Sequence, residues 1–172
     1  MGVGSEPDPH ASPILIRPAA ADDVVAIRTL VRAAYAIYVP RIGREPAPMG
    51  ADYEALVAAG EAWVGVEDDR VVGVLVIRRG DGELELENVA VDPGFQGRGA
   101  GRALIAFAED HARELGVDAV TLYTNEAMTE NLRLYPALGF VETGRRVEDG
   151  FRRVYFRKTV SGAEVDSAAK AG

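Results

Sequence analysis

The sequence predicts an α/β fold whose central sheet is mixed and mostly antiparallel. Three observations predict it. Apolar runs at 62–67, 71–79 and 83–91 are separated by compact turns, the pattern of an antiparallel meander. A glycine-rich loop joins the third run to the best amphipathic helix, 99–115, and a continuous apolar strand follows at 119–123. A unit of this kind closes with a right-handed crossover and puts its two strands side by side in parallel. Finally, runs at 140–146 and 151–158 flank Glu148-Asp149-Gly150, a closing hairpin. With a first strand at 14–17, these runs make about seven strands, flanked by four helices.

The elements follow in order. Pro18 stops the first strand, and Asp22 and Asp23 stand where a helix N-cap is needed. Val24, Ile27, Val31, Ala34 and Ile37 or Tyr38 then recur at helical spacing. Residues 39–50 hold Pro40, Pro46, Pro48 and two glycines, so they read as a loop. A short second helix, 52–59, ends at Gly60; Asp68-Asp69-Arg70 and Gly80-Asp81-Gly82 turn the meander. In 83–91 the apolar positions change parity, from Leu84 and Leu86 to Val89 and Val91. Strand side chains alternate strictly, so the change predicts a β-bulge around Asn88 and Val89, with backbone groups left for a ligand. Leu104, Ala108, Ala112 and Leu115 form the apolar stripe of the third helix, and Gly116 stops it. His111 lies near that stripe and reads as structural; a fourth helix, 128–138, ends at Gly139.

The 172 residues suit one domain, 13–160, between a polar arm at 1–12 and a small-residue tail at 161–172. The arm has no apolar core of a signal peptide, and no apolar run approaches the roughly 20 residues that span a bilayer. A cytoplasmic protein with no membrane association is expected. The chain has no cysteine, and His10 and His111 are its histidines, which counts against disulfides, a cysteine nucleophile and a metal site. A net charge of −8 argues against nucleic acid and favours a cationic partner such as an amine.

The most informative stretch is Gln96-Gly97-Arg98-Gly99-Ala100-Gly101, between the strand end at Asp92-Pro93 and the long helix. Glycines at a helix mouth leave several N–H groups unpaired and unshielded, and the helix dipole adds positive potential there. Such a place suits a pyrophosphate. A tight turn alone needs one glycine, not three in five residues. A Rossmann fingerprint fails because Arg102 stands at its third glycine, and no Gly-Lys-Ser/Thr of a phosphate loop is present.

Gln96-x-x-Gly99-x-Gly101, after Asn88-Val89-Ala90-Val91-Asp92-Pro93, resembles the acyl-CoA-binding motif of the GNAT superfamily of N-acetyltransferases. Leu134-Tyr135-Pro136-Ala137-Leu138-Gly139-Phe140 is similar to the family's late signature, and the element order matches across the folded chain. The resemblance implies a GNAT fold and acetyl transfer from acetyl-CoA to a primary amine, on a small molecule or a peptide. Attack would be direct, within a ternary complex, with a homodimer possible.

It also implies roles. Backbone groups of Val89 and Val91, flanking Ala90, would pair with the pantetheine arm. N–H groups of Gln96, Gly97, Arg98, Gly99, Ala100, Gly101 and Arg102 would hold the pyrophosphate. Asn131, one helical turn before Tyr135, would touch the pantetheine, although Met128 stands where an asparagine is common. Tyr135 would be the general acid that protonates the departing sulfur; its alternative is a core aromatic. Glu87, nearer the bulge than Glu85, is the candidate base, directly or through a water. It could equally be a solvated carboxylate or an arginine's partner. Val89 N–H is the candidate oxyanion donor. The loop from Tyr38 to Pro46 is the region that shapes the family's acceptor pocket. There Arg41 and Arg44 either hold a substrate carboxylate or lie on solvated surface, and Tyr123 ends a strand beside the site. A second class, a non-catalytic acyl-CoA-binding module, would keep the glycine loop without needing Tyr135 or Glu87.

Overall fold

A computed structural model describes residues 13–160; the expected arm and tail lie outside them. Seven strands form one sheet: β1 (Leu15–Pro18), β2 (Ala62–Glu67), β3 (Arg70–Arg79), β4 (Glu83–Val91), β5 (Ala119–Asn125), β6 (Val141–Glu148) and β7 (Phe151–Thr159). Their order is β1-β2-β3-β4-β5-β7-β6. The β4–β5 pair is parallel, as a crossover through a helix requires, and the other neighbours run antiparallel. The helices are α1 (Val24–Tyr35), the single turn α2 (Val39–Ile42), α3 (Tyr53–Ala58), α4 (Ala100–Leu115) and α5 (Thr129–Ala137). The four longer ones are those the sequence predicts. None is long and apolar enough to cross a membrane.

Each face of the sheet buries a different helix pair. Ile27, Leu30 and Val31 of α1 and Tyr53 of α3 pack with Val64, Val74, Val76 and Ala90. On the other face, Leu104, Ile105, Ala108 and Ala112 of α4 meet Leu75, Leu84, Leu86, Val120 and Leu122. Helix α4 lies close to the strands because Gly73 has no side chain: a Cβ there would stand 2.8 Å from a Leu104 methyl. Leu104 is fully buried. Leu104→Ala is therefore expected to cost about 2–5 kcal/mol, measured as a shift of the denaturant midpoint at constant m. His111 is structural as expected, stacked on Phe107 and edge-on to Trp63 at 5.4 Å.

Three sequence expectations need correction. The bulge exists, but its extra residue is Glu87: Val76 faces Asn88 and Ile77 faces Leu86. The parity argument located a bulge to within a residue or two; pairing with β3 locates it. Leu84, Leu86, Val89 and Val91 all pack against the α4 side, while Asn88 turns to the other face. Second, the 39–50 loop contains the turn α2 and a 3₁₀ turn, Ala47–Gly50, because Pro40 and Pro48 preset φ near the start of each. Third, Asp23 caps no helix N–H of α1. It accepts from Ala20 N–H and from Arg17, each at 2.7 Å, and Arg17 holds its carboxyl below the usual range.

Candidate active site

The bulge opens the sheet. Strands β4 and β5 pair from Glu83–Ala119 to Leu86–Leu122 and then part. An extra residue increases local twist, which turns β4 away from β5 beyond Glu87. Past that point β5 is held from its other side by β7, through Tyr123–Tyr155, Thr124–Val154 and Asn125–Arg153. This pairing carries β5 two residues further than the sequence predicts.

Below the gap lies the glycine loop. Asp92 accepts from Gly94 N–H at 2.9 Å and starts a 3₁₀ turn, Pro93–Phe95. Gly97 and Gly99 then take left-handed φ of +80° and +87°, which other residues adopt only with strain. The first intrahelical bond of α4 runs from Ala103 N–H to the Gly99 carbonyl. The N–H groups of Ala100, Gly101 and Arg102 precede it and point out of the helix mouth. They open on a cleft of about 560 Å³ lined by the expected cofactor residues, Arg98 excepted. The Arg98 guanidinium instead stands 5.1 Å over the Phe95 ring. The expected pantetheine acceptors are partly engaged: Gln96 Nε2 donates to the Val91 carbonyl at 3.2 Å, and that of Val89 lies 3.4 Å from Tyr35 Oη, whose single proton is shared with the much closer Asn88 Oδ1. Each carbonyl keeps a second lone pair.

A smaller cavity, about 60 Å³, lies on the far side of the gap. Glu87, Asn88, Tyr123, Phe151 and Arg153 line it, and Pro46, Ala47 and Pro48 form its loop wall. Tyr35, Val89, Asn131 and Tyr135 line both spaces, so cleft and cavity meet at these four residues. Tyr135 is 4% exposed and packs between Phe140 and Phe156 at ring distances of 5.6 and 5.7 Å. Burial, reinforced by Tyr38, pushes its phenol far above the ordinary value, so it keeps its proton at neutral pH. Pro136 removes the N–H that would reach Leu132, and the chain ends α5 at once, Phe140 N–H donating to the Tyr135 carbonyl. Asn131 donates to Thr124 Oγ1 at 3.1 Å and holds α5 against β5.

Glu87, the bulge residue, is half-buried and pairs with Arg78 Nη1 at 2.8 Å. It lines the cavity, and it is an arginine's partner, one of the alternatives the sequence offered. Burial raises its carboxyl above the ordinary value; Arg78 opposes this, and Glu85 and Glu61 add to it. The next residue, Asn88, is 5% exposed and bonded on both sides. Tyr35 Oη donates to its Oδ1 at 2.5 Å, and its Nδ2 donates to Tyr53 Oη at 3.2 Å. Helices α1 and α3 thus clamp the bulge.

The expected acceptor residues are scattered. Tyr123 lines the cavity, but Tyr38 lines the larger cleft beside the glycine loop. Arg41 and Arg44 line neither. The turn at Pro40 aims Arg41 at Glu130, with both carboxylate oxygens within 2.9 Å of Nη1. Arg44 lies 3.4 Å over the Phe151 ring and donates to the Asp149 carbonyl. Sequence reading missed Tyr35, Asn88, Phe151 and Arg153. A buried-parity asparagine in an apolar strand was a usable signal for Asn88; Arg153 is one of several arginines in a hairpin, and its sequence gives no sign of burial.

A mixed sheet in this order, splayed at its parallel pair above a glycine cradle, has the architecture of solved acetyltransferases. PaiA N-acetyltransferase from Thermoplasma acidophilum, solved with coenzyme A, superposes at a TM-score of 0.71, with 15% identity over 86% of this chain and 99% of that one. The ribosomal-protein-S18-alanine N-acetyltransferase from Escherichia coli superposes at 0.68, with 21% identity over 88% and 96%. At these identities the likeness concerns the fold. The chain belongs to the acetyltransferase (GNAT) family, whose model matches residues 26–140. A mycothiol acetyltransferase from Thermobispora bispora is 48% identical over 61 residues, 35% of this chain and 21% of that protein. The bS18-alanine N-acetyltransferase of Salmonella typhimurium is 34% identical over 86 residues, 48% and 58% of the two chains. The aligned stretches thus span about a fifth and somewhat over half of these curated relatives.

Proposed function

We propose that the protein transfers the acetyl group of acetyl-CoA to a primary amine while both are bound. The observation that carries this reading is the junction: Tyr35, Val89, Asn131 and Tyr135 join a glycine-cradled cleft to a cavity holding a carboxylate. The cradle fits a diphosphate. A Cβ built on Gly97 or Gly99 meets nothing within 4 Å, so the space is open, and the α4 N–H groups supply donors and dipole. A neighbour of this fold is named as a complex with coenzyme A, and the bS18 relative is named for acetylating alanine, an amine acceptor.

Bound acetyl-CoA supplies an activated acyl carbon, whose C–S bond breaks as the C–N bond forms. Glu87 accepts the proton that the acceptor ammonium must lose, directly or through a water. Tyr135 donates its phenolic proton at the departing sulfur and regains one, directly or through a water, from the nitrogen, which sheds its second proton as the amide forms; the net proton on Glu87 passes to solvent. Val89 N–H is the candidate donor to the developing oxyanion. The chain has no cysteine, and attack is direct.

Incubation with acetyl-CoA and a panel of amines, following free thiol and acetylated product, tests the reading. Matched release of both is expected. Tight acetyl-CoA binding without turnover would instead favour a non-catalytic acyl-CoA-binding module. The pH profile tests the base. Glu87 works as carboxylate, so kcat/KM should fall as pH drops through its pKa, which lies above the 4.5 of an ordinary glutamate. Glu87→Gln should lower kcat/KM and erase that acidic limb; a variant that keeps the limb would place the base elsewhere.

A further inference from the structure

The acceptor cavity holds one acid and one base among its lining residues, Glu87 and Arg153. Building on the acetyl-transfer reading, we propose that the acceptor carries a carboxylate beside its amine, an α-amino acid in the simplest form, and that Arg153 grips that carboxylate.

Arg153 is nearly enclosed, with 11% of its side chain exposed. Its guanidinium lies 4.3 Å over the Tyr123 ring and 5.6 Å from that of Phe151, two residues that also line the cavity. Nη1 donates to Glu148 at 3.0 Å. Glu148 is not a lining residue, so it braces the guanidinium from outside. A guanidinium presents five N–H donors in a planar fork; its contacts with Glu148 and Tyr155 use part of that set and leave donors for a carboxylate.

Charge decides between acceptor classes. A plain amine reaches Glu87 as an ammonium; the Arg153 guanidinium in the same small cavity opposes it, less so for its pairing with Glu148, and its remaining N–H donors find no acceptor on such a ligand. A carboxylate on the acceptor reverses the sign of that interaction and shields the ammonium from Arg153. Geometry agrees. Arg153 lies on β7 and Glu87 on β4, with β5 between them and the β4–β5 pairing already ended at Leu86. Both residues line the one cavity, so a small zwitterion held there can address the two together. The arginines nearest the acceptor loop in sequence are spent elsewhere, Arg41 on Glu130 and Arg44 on Phe151 and the Asp149 carbonyl. The cavity also shares Leu86, Glu87 and Tyr123 with a groove of about 430 Å³ on the open sheet face, a route of entry.

The test compares α-amino acids with their carboxamides, which keep the side chain and ammonium but lose the negative charge. Wild-type protein should favour acids over amides in kcat/KM by at least about 10-fold, the size of one charge-assisted contact. Arg153→Gln should raise KM for the acids toward that of the amides and erase the preference, and Arg153→Lys should restore part of it. Glu148→Gln removes the outer brace and should keep the preference, which separates carboxylate binding from a merely structural hairpin ion pair. If Arg153→Gln does not fold, wild type and Glu148→Gln decide. Equal or better turnover of amides in wild type, or an unchanged preference in Arg153→Gln, would overturn the inference and leave acetyl transfer standing. Acetyl-CoA binding with no turnover of acids, amides or other amines would overturn the transfer reading, and this inference with it.

Discussion

Tyr135→Phe is expected to lower kcat by about 10- to 1000-fold while acetyl-CoA binding is retained. The ring stays in place: its neighbours Phe140 and Phe156 touch aromatic edges and faces that phenylalanine keeps. What is lost is one proton donor at the junction of cleft and cavity. Burial holds that phenol above the range of a thiol, so its contribution is a hydrogen bond that strengthens as negative charge gathers on the departing sulfur. The loss should therefore fall on kcat rather than on KM for acetyl-CoA. Unchanged turnover would make Tyr135 a core aromatic. A fall in stability without a change in kcat would do the same.

The second large effect concerns the cradle. Gly99→Glu is expected to weaken acetyl-CoA binding by about 10- to 100-fold or more, because it sets a like charge against the diphosphate. Gly99 sits at φ +87°, so any side chain there also strains the backbone. Gly99→Gln carries the same strain and nearly the same shape without the charge. Calorimetry on both variants isolates the electrostatic part, which should shrink as ionic strength rises. Equal affinities for the two variants would leave no electrostatic effect. Affinities equal to wild type would place the cofactor away from this loop.

The reach of sequence reasoning differed between the two halves of the site. The cradle is built from consecutive residues, 88–102, and mostly from backbone, so a glycine pattern between a strand and a helix was enough to describe it. Even the bulge was visible, as the parity change between Leu86 and Val89, although only pairing with β3 showed that Glu87 is the inserted residue. The acceptor side behaved otherwise. Arg41 and Arg44 stand in the stretch expected to shape the acceptor pocket, yet Pro46, Ala47 and Pro48 are the residues of the 39–50 loop that line the smaller cavity. A one-turn helix at Pro40 rotates Arg41 onto Glu130, and the hairpin of β6 and β7 captures Arg44.

By itself the sequence determined the order of elements, the glycine cradle and the family, because each rests on local periodicity, backbone chemistry and short spacing. Only the tertiary structure decided that Asn88 is clamped by Tyr35 and Tyr53, that Glu87 meets Arg78, and that Arg153 is the arginine lining the smaller cavity. Those facts depend on which strands neighbour one another and on how far the bulge swings β4 from β5. Burial and charge pairing are properties of surfaces brought together from distant parts of the chain, and no local pattern carries them.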